Sequence, residues 1–268
     1  MARTSDDART PPRTPASAAT GVARRDVLRA GVAASLVGAG CGRAVVASPA
    51  RPADATDAVG SCGPTSRFYV GPFYVADPPE RVAIHEGLDG APLDITLRLL
   101  DAASCTPLVD IPVDVWCAAP DGWYSGVNNA LVVRSGPTTL GQTWQRGRQR
   151  TDADGRVHFA AVYPGWYPVT PPHLHFTAPI DADRAFTWQL FLDDAFSDAV
   201  YTTVAPYDAR GPHVSRIEDR RAALPGDLVV VPDGTAQASR VEVDVVIALD
   251  DLTRHAIPFD PVTGQGGR

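Results

Sequence analysis

The chain has 268 residues, a formal net charge of -7 and 44% hydrophobic residues, enough for one large domain or two small ones with a buried core. An excess of 31 Asp and Glu over 24 Lys and Arg argues against nucleic acid as a partner, because phosphate contacts need clustered cations. With 25 Pro and 23 Gly, turns are frequent enough to favour many short strands over long helices.

Residues 1–23 are rich in Ala, Thr, Pro, Arg and Asp without apolar periodicity and read as disordered. Arg24-Arg25-Asp26-Val27-Leu28-Arg29 then precedes the apolar stretch Ala30 to Gly40. A charged segment before an apolar one of this length is a secretory signal rather than a membrane span. The paired arginines resemble a twin-arginine export signal. Cys41 closes Val37-Gly38-Ala39-Gly40-Cys41 and resembles a lipobox cysteine, which would carry a lipid anchor. Cleavage after Ala47, in Val45-Val46-Ala47, is the equal alternative and would leave a secreted protein. The expected organisation is a disordered N-terminus and signal over 1–47, a linker over 48–60, a folded domain over 61–260 and a tail over 261–268. Past the leader no apolar run is long enough to cross a bilayer. Export puts Cys62, Cys105 and Cys117 where disulfides persist. Cys105 and Cys117 flank a turn and a strand, so a bridge between them is the expectation, although sequence alone leaves connectivity open. None of the three has the CxxC spacing of a zinc site.

Within the domain, Leu93, Ile95, Leu97 and Leu99 alternate with Asp94, Thr96 and Arg98, the period of a half-buried strand. Cys105-Thr106-Pro107-Leu108 reads as a turn, and Val113, Val115 and Cys117 alternate with Asp114 and Trp116 as a second strand. Residues 120–148 carry Pro, Gly, Asn and Ser and read as an irregular loop broken only by Leu131-Val132-Val133. Asp152-Ala153-Asp154-Gly155 is a hairpin-type turn into Val157-His158-Phe159. Further strands are expected over Leu174 to Thr177, Thr187 to Leu192, Asp227 to Val231 and Val241 to Leu249, with 200–225 irregular. The fold class is therefore all-β, a sandwich of mixed strands with long irregular loops.

Chemistry concentrates in Tyr163-Pro164-Gly165-Trp166-Tyr167-Pro168 and Pro172-His173-Leu174-His175-Phe176. On a strand, residues i and i+2 share a face, so His173 and His175 point at one centre. An imidazole pair suits iron, copper, zinc or nickel and does not choose among them. A Pro- and Gly-framed aromatic loop beside it can aim a phenol at the same point. Phenolate is a hard anionic donor, and two of them favour a trivalent metal. Tyr163 and Trp166 read as packing residues, Trp123 and Trp188 as pocket wall or core, and His85, His158, His213 and His255 as surface or loop histidines.

Taken together, Asp121-Gly122-Trp123-Tyr124-Ser125-Gly126, Thr151-Asp152-Ala153-Asp154-Gly155-Arg156, the Tyr163 to Pro168 run and His173-Leu174-His175 resemble, in their usual order, the core of the intradiol ring-cleavage dioxygenase family. Gly71-Pro72-Phe73-Tyr74 and Thr187-Trp188-Gln189-Leu190-Phe191 match further landmarks, and the likeness spans about 60–255. The resemblance is to exported single-domain members of a family that includes catechol, protocatechuate and hydroxyquinol dioxygenases. It implies Fe(3+) held by Tyr124, Tyr167, His173 and His175, with a small aromatic diol and dioxygen as substrates and a cis,cis-muconate-type product. Catalytic roles fall on Tyr167, which would accept a substrate proton, and on Gln189, which would orient the reacting group. Two positions depart from the family pattern. Thr170 stands where an arginine precedes the first histidine by three residues, and Val70 stands where a glutamate is usual. Arg148 and Arg150 are the candidates to supply the missing charge, and an exported catechol- or iron-binding protein with little or no activity is the alternative reading.

Overall fold

A computed structural model describes residues 62–131, 134–168, 170–181, 184–213, 228–250 and 253–254. The expectations for the N-terminal 61 residues, Cys41 among them, and for His255 and the C-terminal tail lie outside the described residues. Among the described residues, no helix is long and apolar enough to cross a membrane.

Period-two patterning builds the first sheet. β1 (Pro92–Asp101) buries Leu93, Ile95, Leu97 and Leu99 completely on one face, each side chain worth about 1.5–3 kcal/mol when removed from water. β1 lies between β4 (Arg156–Val162), antiparallel to it, and β9 (Ala238–Ile247), parallel to it, and β8 (Asp233–Thr235) extends the sheet beyond β9. The second sheet contains β2 (Pro112–Cys117), β3 (Arg146–Arg150), β5 (His173–Pro179), β6 (Arg184–Leu192), β7 (Val229–Val230) and β10 (Thr253–Arg254). Its order is β10-β6-β5-β2-β3, with β7 also paired to β6. The facing sides share one core: Leu93, Ile95, Leu97 and Phe159 from the first sheet meet Val115, Leu174, Phe176, Trp188 and Leu190 from the second. The all-β sandwich of mixed strands is as expected.

Three local expectations need correcting. The end of the loop read over 120–148 is strand β3, and Asn129–Leu131 forms a 3-10 turn within it. The Arg-Gly-Arg-Gln-Arg sequence of β3 has no apolar alternation. It forms a strand because β2 offers a free edge and its three arginines find Ser125, Asp114 and Asp110 as partners. The stretch after β6 carries helix α1 (Asp194–Thr203), started by the Asp193 carboxylate accepting from the Phe196 amide at 3.0 Å. Ser197, Val200 and Tyr201, at i, i+3 and i+4, are its buried residues.

The disulfide joins Cys62 to Cys105, and Cys117 is a buried free thiol. Cys117 faces the intersheet core from β2, whereas Cys105 lies in the turn after β1, so the anticipated partners sit on different sides of the strand. The bridge ties the start of the domain to β1 across 43 positions of sequence. Replacing both cysteines by serine is expected to lower unfolding free energy by about 2–4 kcal/mol, measured by denaturant titration of the oxidised parent against the double variant.

Candidate metal centre

The second sheet has a second occupied face. Leu174, Phe176 and Ala178 of β5 point into the intersheet core, so alternation puts His173, His175 and Thr177 on the opposite side. Strand register sets Trp116 of β2 and Gln189 of β6 beside His175, and Phe191 beside His173. Val70, Phe73, Ala118 and Val127 cover this face and form a smaller core with Tyr74, Trp116, Tyr124 and Tyr167.

The four tyrosine and histidine side chains named from the sequence converge under that cover. His173 Nε2 and His175 Nε2 are 2.8 Å apart, and Tyr124 Oη lies 3.4 Å from His173 Nε2. The Tyr167 ring is 5.8 Å from that of Tyr124 and 5.9 Å from that of His173, centre to centre, and its hydroxyl is hydrogen-bonded to Tyr124. All four residues are buried, with Tyr167 the most exposed at 7%.

Each side chain is held by nameable contacts. Tyr124 sits on an irregular loop, so its backbone is fixed by side chains: its amide donates to Asn129 Oδ1 at 2.9 Å, and its carbonyl accepts from Asn129 Nδ2 at 2.9 Å and Thr139 Oγ1 at 2.6 Å. The neighbouring Ser125 carbonyl accepts from Arg146 Nη2 at 2.6 Å. Phe73 stacks on the Tyr124 ring at 4.3 Å and meets Tyr167 edge-on. His175 lies parallel to Trp116 at 4.9 Å, with Gly71 against its edge. Gly71 has φ +78°, and a Cβ there would stand 3.0 Å from His175 Cε1. Gln189, 1% exposed, donates to the Tyr69 carbonyl at 2.8 Å.

Burial governs the electrostatics around Tyr124. Burial, reinforced by Tyr167 and Cys117, pushes the Tyr124 phenol well above its ordinary range, with Arg146 opposing. Burial also pushes the Cys117 thiol up to about 12, so it is inert, and lowers Arg146 to about 10. His173 Nδ1 donates to the Pro171 carbonyl at 2.6 Å, which turns its Nε2 towards His175.

These residues fit a metal ion. Two nitrogens 2.8 Å apart match neighbouring positions in one coordination sphere with bonds of about 2.0–2.1 Å. The Pro171 carbonyl supplies the outer hydrogen bond that orients a ligating imidazole. Among the described residues there is no group of three or more His, Cys, Asp or Glu able to hold a metal, and the groups that would complete a donor set beside the two imidazoles are the Tyr124 and Tyr167 phenols. Two phenolates beside two neutral imidazoles favour a hard trivalent cation such as Fe(III).

Other expectations fare differently. Arg148 and Arg150 do not supply a charge to the site. Arg148 donates from Nε (2.5 Å) and Nη2 (2.8 Å) to the fully buried Asp114, which also accepts from the Tyr74 hydroxyl at 2.9 Å, and Arg150 pairs with Asp110. Thr170 is itself buried at 2%, next to the Tyr167 loop through their backbone bridge. His213 is no surface residue: its side chain is 5% exposed, 3.2 Å from Asp198 and packed on Tyr201. Tyr163, Trp166 and Trp188 are core residues, and Val70 belongs to the site's apolar cover. Sequence reading missed Asn129, Thr139 and Trp116. Only Trp116 had a signal, the alternation of β2 that puts it in phase with the histidines across the register.

No protein-family model and no curated protein matches this sequence. Solved structures do. An intradiol ring-cleavage dioxygenase from Tetranychus urticae aligns with a TM-score of 0.63 at 25% identity, over 70% of this chain and 95% of its own. The dioxygenase Tetur07g02040 aligns at 0.61 with 24% identity, over the same shares of the two chains. The dioxygenase domain of a carbohydrate-binding fusion protein from the cellulolytic bacterium Streptomyces sp. SirexAA-E aligns at 0.50 with 23% identity, over 69% of this chain and 99% of its own. The chain therefore has the intradiol ring-cleavage dioxygenase fold.

Gly71→Ala tests the packing of the site cover. A side chain at positive φ costs about 1–2 kcal/mol and here also presses on His175, so denaturant titration is expected to show a loss of at least that size. An unchanged midpoint would contradict the packing.

Proposed function

We propose that this protein is an Fe(III)-dependent intradiol dioxygenase that cleaves a catechol-type ring between its two hydroxylated carbons to a cis,cis-muconate-type product. The observation that carries the reading is the convergence of Tyr124, Tyr167, His173 and His175 in one sealed patch, with His173 Nε2 2.8 Å from His175 Nε2 and 3.4 Å from Tyr124 Oη. The likeness in fold to intradiol dioxygenases supports it independently.

Tyr124, Tyr167, His173 and His175 would hold the ion, which when bound supplies a Lewis-acidic template that activates the aromatic diol towards dioxygen. Tyr167, the most exposed of the four, is placed to accept a proton from a substrate hydroxyl at its phenolate oxygen. Val70, Phe73 and Val127 exclude water from the ring face. Gln189, anchored to the Tyr69 carbonyl and paired across the sheet with His175, orients the bound substrate. Export of the protein, whether to an envelope anchor at Cys41 or to secretion, is part of the same proposal, and the Cys62–Cys105 disulfide supports an oxidising compartment.

Thr170 favours a second reading. A buried hydroxyl stands where the family resemblance calls for a fixed positive charge, and loss of one preorganised charge-stabilising group typically costs about 10²–10³ in rate. A binding protein for catecholic compounds, with the same centre and little turnover, is therefore the alternative.

Dioxygen uptake by the iron-loaded full-length chain on catechol, protocatechuate and hydroxyquinol separates the two. Stoichiometric uptake with muconate-type products is the expected result, and tight catechol binding without uptake selects the alternative. In the active case, Tyr167→Phe is expected to retain iron and lose about 10²–10⁴-fold in kcat, measured by steady-state oxygen consumption.

A further inference from the structure

The two tyrosines reach the centre from separate loops, whose bases are joined where Gln145 Nε2 donates to the Ala118 and Val162 carbonyls. Tyr124 follows Pro120-Asp121-Gly122-Trp123, and Tyr167 follows Pro164-Gly165-Trp166. Arg210, at the end of the 3-10 turn Tyr207–Ala209, joins them. Its Nη1 donates to the Pro120 carbonyl at 2.9 Å and its Nη2 to the Trp166 carbonyl at 2.7 Å. The same guanidinium lies 3.9 Å above the Trp166 ring. One rigid planar fork thus holds a carbonyl four residues before Tyr124 and another immediately before Tyr167.

The surroundings are built for this contact. Gly122 presses on the other loop so closely that a Cβ would stand 2.1 Å from the Trp166 carbonyl oxygen and 2.8 Å from Arg210 Nη2. The Gly165 amide donates to the Ala119 carbonyl at 3.1 Å. The segment carrying Arg210 is itself fastened to the Tyr167 loop: Tyr207 donates to the Tyr163 carbonyl at 2.6 Å and Tyr201 of α1 to the Pro164 carbonyl at 2.7 Å. A half-buried arginine that satisfies two loop carbonyls and stacks on the ring of the residue that owns one of them is more than a solvated surface charge.

We propose that Arg210 is the positioning residue that sets the spacing of the Tyr124 and Tyr167 phenols at the metal centre, by clamping the Pro120 and Trp166 carbonyls together. The proposal rests on the iron reading. Removing the clamp leaves the Pro120 and Trp166 carbonyls without the guanidinium and the loops joined only by the Gly165–Ala119 hydrogen bond, the Gln145 bridge at their bases and packing, so the phenol spacing loosens while His173 and His175 stay fixed on β5.

The test compares full-length wild type, Arg210→Ala and Arg210→Lys, each loaded with Fe(III). Two quantities are read: the visible phenolate-to-iron charge-transfer band and the iron dissociation constant, alongside melting of the metal-free proteins. Arg210→Ala is expected to shift and weaken the band and to loosen iron by about 10–100-fold, the usual effect of losing an outer-shell partner. Arg210→Lys keeps the charge and much of the stem but not the planar fork, and is expected to move both quantities in the same direction by less. If Arg210→Ala does not fold, the lysine variant alone decides. Variants that melt lower but leave band and affinity unchanged overturn the positioning role and leave Arg210 a structural tie. A wild-type protein that shows no such band overturns the iron reading itself, and Arg210 then has no ligand pair to position.

Discussion

Two imidazole nitrogens are held 2.8 Å apart in a sealed apolar patch, the spacing of neighbouring ligands on one ion. Everything else at this end of the molecule serves that constraint. The pair is fixed because both residues lie on one face of a central strand, flanked by β2 and β6 and stacked on Trp116. The Pro171 carbonyl accepts from His173 Nδ1 and so turns Nε2 towards His175. Burial raises the Tyr124 phenol well above its usual range, and a bound cation would oppose that shift. Metal capture and proton release are one event in such a site.

The sandwich separates rigidity from chemistry. The intersheet core of Leu, Ile, Val and aromatic side chains gives the second sheet a stiff platform, and the opposite face of that sheet carries the reactive groups. Loops deliver the phenols, and beside their backbone hydrogen bonds they are held by side chains reaching for backbone: Asn129 and Thr139 at Tyr124, Arg146 at Ser125, Tyr201 and Tyr207 at residues 163–164. Irregular backbone buried near a site must find partners for its amides and carbonyls, and here polar side chains supply them. Buried charge is handled in the same way: Asp114 is accepted inside because Arg148 and Tyr74 satisfy both of its oxygens.

Much of this was legible in the sequence, and the failures have physical reasons. Leu93 to Leu99 announced β1 through period two, and His173-Leu174-His175 announced two ligands on one face, because strand geometry is local. The Tyr163 to Pro168 run and Tyr124 were marked by family resemblance rather than by periodicity. Strand β3 was missed because its Arg-Gly-Arg-Gln-Arg sequence is stabilised by an edge and by ion pairs that only the fold brings near. The Cys62–Cys105 bridge was missed because disulfide partners are chosen by three-dimensional proximity, whereas Cys117, one turn and strand along from Cys105, stood nearer to it in the chain than Cys62. Asn129, Thr139 and Arg210 carry no pattern at all, since a side chain that holds a distant carbonyl is invisible to spacing. Helix α1 did leave a signal, the Asp193 cap before Phe196 and Val200, between a strand expected to end at Leu192 and a stretch read as irregular from 200.

Resonance Raman spectroscopy of the iron-loaded protein tests the four-donor centre most directly, because excitation into a phenolate-to-iron band enhances only the ring modes of coordinated tyrosine. If Tyr124 and Tyr167 both hold the ion, those modes will be strong in the wild type, will diminish in Tyr124→Phe and in Tyr167→Phe, and will vanish in the double variant. Absence of tyrosinate modes in the wild type, or their persistence when both tyrosines are gone, would contradict the centre.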